Sequence, residues 1–282
     1  MNDFGESSKP LEKELISADG LELQLSVFRK DVKLQRRPTS HIHKNDEGYG
    51  LVIREVNDGL VESDRPRVGL VVGNGAILST LPEVPADVLV ISDYNPFIHE
   101  WTEYSINALM TANSPEEYRA LVYTERNPLY KELIKEGVRP EEGLRDEMQD
   151  LGDRHFLSGS KRFAECKESL LKKRLLMLAV DLTDRKLLSR ISEVLRRNDI
   201  QITFANLTNV WEHAGNVLET SLSTLPFHEQ AVILHSSRAY TDRFNPKMMG
   251  ICRGLSSYID IAKSANQFWR NYGRQAGGGR SR

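Results

Sequence analysis

Residues 68–95 read VGLVVGNGAILSTLPEVPADVLVISDYN, and this stretch decides the fold. It holds two continuous apolar runs, and each stops on residues of a different kind. Gly73-Asn74-Gly75 follows the first run and Asp93-Tyr94-Asn95 the second. Runs that are apolar throughout, rather than alternating, suit parallel strands covered on both faces. The same design recurs downstream. PFIHEWTEYSINALMTA, from Pro96, has helical spacing. SPEEY opens another helix, with Ser114 as cap, Pro115 at the first position and Glu117 three residues after the serine. LLMLAVDLTD predicts a third strand ending on Asp181, and RKLLSRISEVLRRND an amphipathic helix with Leu187, Leu188, Ile191, Val194 and Leu195 on its apolar stripe. IQITFANL is a fourth strand that leaves the sheet near Asn206, and QAVILHSS a fifth. Buried strands alternating with helices predict an α/β fold: a Rossmann-like, wound, mostly parallel sheet with helices on both faces.

Working outward, residues 1–64 read as an N-terminal extension. LELQLSVF (21–28) and YGLVIREV (49–56) suggest short strands within it. Residues 65–272 form the Rossmann-like domain, with a charged helical insertion at about 124–160. The tail 273–282, GRQAGGGRSR, has the composition of a disordered terminus.

The formal net charge of the 282 residues is -2, from 38 Lys+Arg against 40 Asp+Glu. That balance exerts no global pull towards nucleic acid or an anionic membrane, and no aromatic residues interleave the basic run Arg29, Lys30, Lys33, Arg36, Arg37. Nucleic acid is therefore not favoured as a partner; an unidentified small molecule or protein is expected. No apolar stretch approaches the roughly 18 residues of a membrane span, and the polar N-terminus has no signal-peptide centre, so membrane insertion is not expected and a cytoplasmic location is. Cys166 and Cys252 make no ligand spacing. His41 and His43 read as exposed loop histidines, and His99 with Glu103 as a surface pair on one helix face. No metal site is expected, because neither pair has a third ligand.

In open α/β sheets ligands sit beyond the carboxyl ends of the strands. The candidate binding residues are therefore those at which the runs stop: Gly73, Asn74 and Gly75; Asp93, Tyr94 and Asn95; Asp181 and Leu182; Asn206 with Asn209. Glycines let the backbone approach a ligand closely. An acid about 20 residues on, at the next strand's end, suits a bidentate grip on ribose hydroxyls. Just past the fourth strand, Glu212 and His213 join Asn206 as candidates for a catalytic role.

This pattern resembles the class I S-adenosylmethionine-dependent methyltransferases, over roughly Val68 to Ser237. The resemblance implies S-adenosylmethionine as cofactor, with Gly73 and Gly75 cradling its amino-acid part and Asp93 binding the ribose. It also implies Asp181 with Leu182 beside the adenine, and Asn206 with Leu207 facing the sulfonium and the acceptor. Two departures stand out: Val71 occupies the position of the family's usual acid, and Ile77 that of a frequent third glycine. A nicotinamide-dependent oxidoreductase is a rival, although its fingerprint wants a glycine where this chain has Leu78. A non-catalytic binding protein on the same fold is another. Plainer roles stay open beside these: a tight turn for the glycines, helix caps for Asp93 and Asp181, and loop hydrogen bonds for Asn206 and Asn209.

Overall fold

The computed structural model describes residues 16–30, 36–39, 43, 49–56, 63–73, 76–178, 180–208, 210, 217–238 and 247–264. Six strands form one sheet: β1 (Val68–Val72), β2 (Val88–Ser92), β3 (Arg174–Leu178), β4 (Ile202–Asn206), β5 (Phe227–Arg238) and β6 (Lys247–Arg253). Their spatial order is β3-β2-β1-β4-β5-β6. The first five strands are parallel to their neighbours, and β6 runs antiparallel to β5. The chain is thus an α/β protein with a Rossmann-like, mostly parallel sheet, as its apolar runs predict. The strand order reverses between β1 and β4, which makes the crevice beyond their carboxyl ends the topological switch point.

Each inner strand divides its side chains between two cores. Val71, Leu89, Ile91, Phe204 and Leu234 face one core; Leu70, Val88, Val90, Ala205 and Ile233 face the other. The first core is covered by α2 (Tyr49–Val52), α3 (Ile77–Thr80), α4 (Pro96–Thr111), α5 (Pro115–Val122), α6 (Pro128–Lys135), α7 (Pro140–Leu151) and α8 (Ser160–Lys172). The second is covered by α1 (Ala18–Ser26), α9 (Arg185–Arg197) and α10 (Val217–Leu222). Cys166 belongs to the first core and Cys252 to the second, so the sheet separates the two free thiols.

The helix starts follow the local chemistry. Asn95 caps α4 through Phe97 N (3.1 Å), and Ser114 caps α5 through Glu117 N (3.2 Å). The Glu117 carboxylate reaches back to Asn113 N (2.8 Å). Asp184 caps α9, accepting from Lys186 N and Leu187 N.

Three elements differ from expectation. LELQLSVF is helix α1 and a following 3-10 turn rather than a strand. Leu21, Leu25 and Phe28 are buried at the i, i+4, i+7 spacing of a helix, whereas Leu23 and Val27 are exposed, and Ser17 caps the start through Gly20 N. YGLVIREV is likewise helical, with Tyr49, Ile53 and Val56 buried at the same spacing. Strand β6 was not anticipated. The tail 273–282 lies outside the described residues. No helix among the described residues is long and apolar enough to cross a membrane.

Candidate functional site

The carboxyl ends of four neighbouring strands line one edge of the sheet, and the polar residues predicted there follow the strand order. Asp181 lies beyond β3, Asp93 beyond β2, Gly73 beyond β1, and Asn206 ends β4. Gly73 has a positive φ of 70°, a left-handed conformation that glycine adopts without steric cost. Its N–H donates to the Ser92 carbonyl at 2.9 Å, which ties the β1 turn to the end of β2. A Cβ built on Gly73 would stand 3.6 Å from Asp93 Oδ2, so this carboxylate oxygen faces the glycine turn. The other oxygen, Oδ1, accepts from Asn95 N at 2.7 Å. A fixed carboxylate beside an open backbone turn suits a ligand with paired hydroxyl donors. Asn74 and Gly75 lie outside the described residues.

The loop after β2 is held from behind. His99 Nε2 lies 3.0 Å from the Asp93 carbonyl, so this nitrogen carries the proton and donates it. His99 is buried, Glu103 is exposed, and the expected surface pair is replaced by this backbone contact. Asn95 is also buried. Besides capping α4, its side chain accepts from Arg37 N (3.1 Å) and donates to Arg37 O (2.7 Å). Arg36, next in the chain, binds Glu100 on α4 and Glu132 on α6 and stacks over Phe97 at 5.0 Å. Residues 36 and 37 are thereby strapped across the start of α4, beside the Asp93 loop. In the sequence Arg36 and Arg37 belong to a basic run, and no local signal marks these partners. Tyr94 projects from the loop and is 64% exposed.

At the switch point the groups are buried. Asn206 pairs in register with Val71, and both are buried. Asn206 Nδ2 donates to the Tyr49 hydroxyl at 2.9 Å, and its Oδ1 accepts from Thr208 N at 3.3 Å. Tyr49 N in turn donates to Asp150 Oδ2 at 3.0 Å, at the end of α7. Tyr49 therefore covers the β1–β4 junction. Val71 is packed with Tyr49, Ile53 and Ile77, so the position of the family's usual acid is apolar core here.

Asp181 is exposed, and its Oδ1 accepts from both the amide and the hydroxyl of Thr183 (2.8 and 2.7 Å), a local turn. Leu182 turns inward. With Leu70, Val90, Val180, Leu188 and Ile191 it borders a cavity of about 20 Å³, room for one water at most. Leu207 is buried, and its amide donates to Leu234 O (2.9 Å). Asn209, Glu212 and His213 lie outside the described residues.

A second polar cluster went unread. His43, expected to be exposed, is buried, with Nδ1 at 3.2 Å from Glu147 Oε2. On the other side, His155 Nε2 lies 3.3 Å from Glu147 Oε1, and its Nδ1 accepts from Leu157 N. Burial by itself would raise the Glu147 carboxyl; the histidine hydrogen bonds override it and hold the group well below the usual range. This cluster fastens residue 43 to α7. His41 lies outside the described residues.

No family model matches the chain, and no curated protein matches it. Among solved structures the chain is similar to the rRNA methyltransferase aviRa from Streptomyces viridochromogenes in two crystal structures. The first, at 2.4 Å, has a TM-score of 0.40 and 14% identity, covering 76% of this chain and 90% of that one. The second, at 1.5 Å, has a TM-score of 0.39 and 16% identity, covering 78% and 94%. The finding corrects the expectation that nucleic acid is not favoured as a partner. That expectation rested on total charge, which is blind to how charge is distributed over the surface.

Proposed function

We propose that the chain is a methyltransferase that binds S-adenosylmethionine at the carboxyl edge of β1 and β2 and transfers its methyl group to an acceptor. One observation carries the reading: Gly73, left-handed at the end of β1, faces the fixed carboxylate of Asp93 at the end of β2. This pair fits the ribose-bearing part of the cofactor, with Asn74 and Gly75 proposed as further binding residues. When bound, the cofactor supplies an electrophilic methyl group on sulfur. The chain's task is then to hold and orient, because displacement at carbon gains most from positioning. Asp93 grips the ribose hydroxyls, with Asn95 N–H and His99 fixing its loop and Tyr94 flanking the site. Asp181 stands at the adenine end, with Leu182 packed into the core behind it. Asn206 holds Tyr49 over the strand ends, with Leu207 behind it, and Glu212 and His213 supply the candidate acid and base for an acceptor that must lose a proton.

A second reading, a binding protein that keeps the fold without the chemistry, is favoured by one observation: Val71 is core, leaving no carboxylate there for the cofactor's ammonium group. The dinucleotide reading loses ground because β6 runs antiparallel, which breaks the second of the two parallel halves on which such folds are built.

Calorimetric titration with S-adenosylhomocysteine and with NADH decides among the three. The methyltransferase reading expects saturable binding of the first alone. Binding of NADH alone would replace it with the oxidoreductase, and binding of neither would favour the non-catalytic protein.

A further inference from the structure

Helix α9 concentrates charge that the total conceals. Arg185, Lys186, Arg190, Arg196 and Arg197 are all exposed, and Glu193 is the one acid among its 13 residues. The helix thus carries a net +4 on a chain whose total is -2. At 100° per residue the five cations fall within an arc of about 140°, opposite the buried Leu187, Leu188, Ile191 and Leu195. On the other face of the sheet, α7 carries five carboxylates and Arg145.

The acids near the helix start do not neutralise its two first-turn cations, while Arg190 at mid-helix stacks over the Phe28 ring at 5.1 Å. Asp184 turns its carboxylate onto Lys186 N and Leu187 N, and Asp181 onto Thr183. Among the described residues Arg185 and Lys186 have no acidic partner. Their place in the first turn works against the helix dipole, so local helix energetics do not explain it. Arg196 bonds to Ser192 Oγ and Thr224 O, neutral groups that leave its charge uncompensated.

We infer that the exposed face of α9 docks the phosphate backbone of a nucleic acid strand. The arc is straight and about 20 Å long, which spans several successive phosphates. Four of its five cations are arginines, whose planar fork matches phosphate oxygens. No large apolar side chain shares the arc, as a membrane-seated helix would require. Because α9 starts beside Asp181 and runs back along the sheet, a strand on this face passes the candidate site's edge. The inference stands independently of whether the chain binds S-adenosylmethionine.

The test is fluorescence anisotropy of the full chain with labelled 20-nucleotide RNA and DNA of one sequence, at 50 and 200 mM salt. Four phosphate contacts to a single strand predict a weakening of about 50-fold across that range. The triple variant Arg185→Gln, Lys186→Gln, Arg196→Gln should lower affinity and flatten the log-log salt slope by about 2. Glu193→Gln should tighten binding, a gain that misfolding does not produce. Preference for RNA or for DNA supports the inference equally and names the source of the phosphates. No binding of either at 50 mM salt, an unchanged salt slope in the triple variant, or preferential binding to vesicles with anionic headgroups would overturn it.

Discussion

The Asn206 amide donates to the Tyr49 hydroxyl at 2.9 Å with both side chains buried, although 157 residues separate them. The N-terminal extension is thereby pinned to the switch point of the sheet. Removing the hydroxyl leaves a buried amide donor unpaired, which costs about 1–3 kcal/mol. Tyr49→Phe should therefore lower the unfolding free energy by that amount, read as a lower urea midpoint with an unchanged slope. An unaltered midpoint would mean that the bond contributes nothing to the fold.

Asn95 serves two structures at once, the start of α4 and the strap at Arg37. Loss of an N-cap alone costs about 0.5–2 kcal/mol. Asn95→Ala should reach the upper part of that range and should raise hydrogen exchange at the Arg37 amide. Protection at Arg37 equal to that of the wild type would show that the strap is held without Asn95.

Gly73→Ala separates strain from crowding. The added methyl would meet Asp93 Oδ2 at 3.6 Å, an ordinary contact, while φ of 70° penalises any side chain. The expected loss is about 1–2 kcal/mol from the left-handed conformation alone, read by denaturant unfolding. A neutral substitution would place Gly73 outside the left-handed region in solution.

Glu147 imposes a pH dependence whose sign follows from its depressed acidity. Its carboxyl titrates lower in the folded protein than in the unfolded chain, where it lies near 4.3. The stabilisation is therefore complete above that unfolded value and is lost as pH falls below it towards the folded value. Glu147→Gln should flatten this acid limb and cost about 1–3 kcal/mol at neutral pH through the imperfectly paired His43 and His155. A variant with the wild-type acid profile would remove Glu147 from the account.

How much was legible in the sequence depended on the range of the signal. Strands β1 to β5 announce themselves because a strand buried on both faces is apolar residue after residue. The cap Ser114 acts within three residues and is legible as easily, whereas α9 is capped by Asp184 and not by Asp181. Leu21, Leu23 and Leu25 satisfy period 2 over five residues, and only Phe28 breaks the tie towards the helix. β6 took its place by pairing with β5, a partner that its own residues do not reveal. The polar contacts that close the site are longer in range still: Tyr49 to Asn206, and His43 to Glu147 across 104 positions. A histidine in a polar stretch looks exposed until its buried acceptor is known. The strand-end residues were found because the fold dictates where they must lie; their partners were not, because packing of the extension chooses them.

Thermal unfolding of the wild type and of Asp93→Ala, each with S-adenosylmethionine, S-adenosylhomocysteine, NAD and NADP in turn, tests the proposed function most directly. A ligand of the native state at 100 times its dissociation constant adds about 2.7 kcal/mol. The account predicts a raised midpoint for the wild type with the first two ligands alone, and none for Asp93→Ala. A wild type that responds to neither, or an Asp93→Ala variant that responds in full, would contradict it.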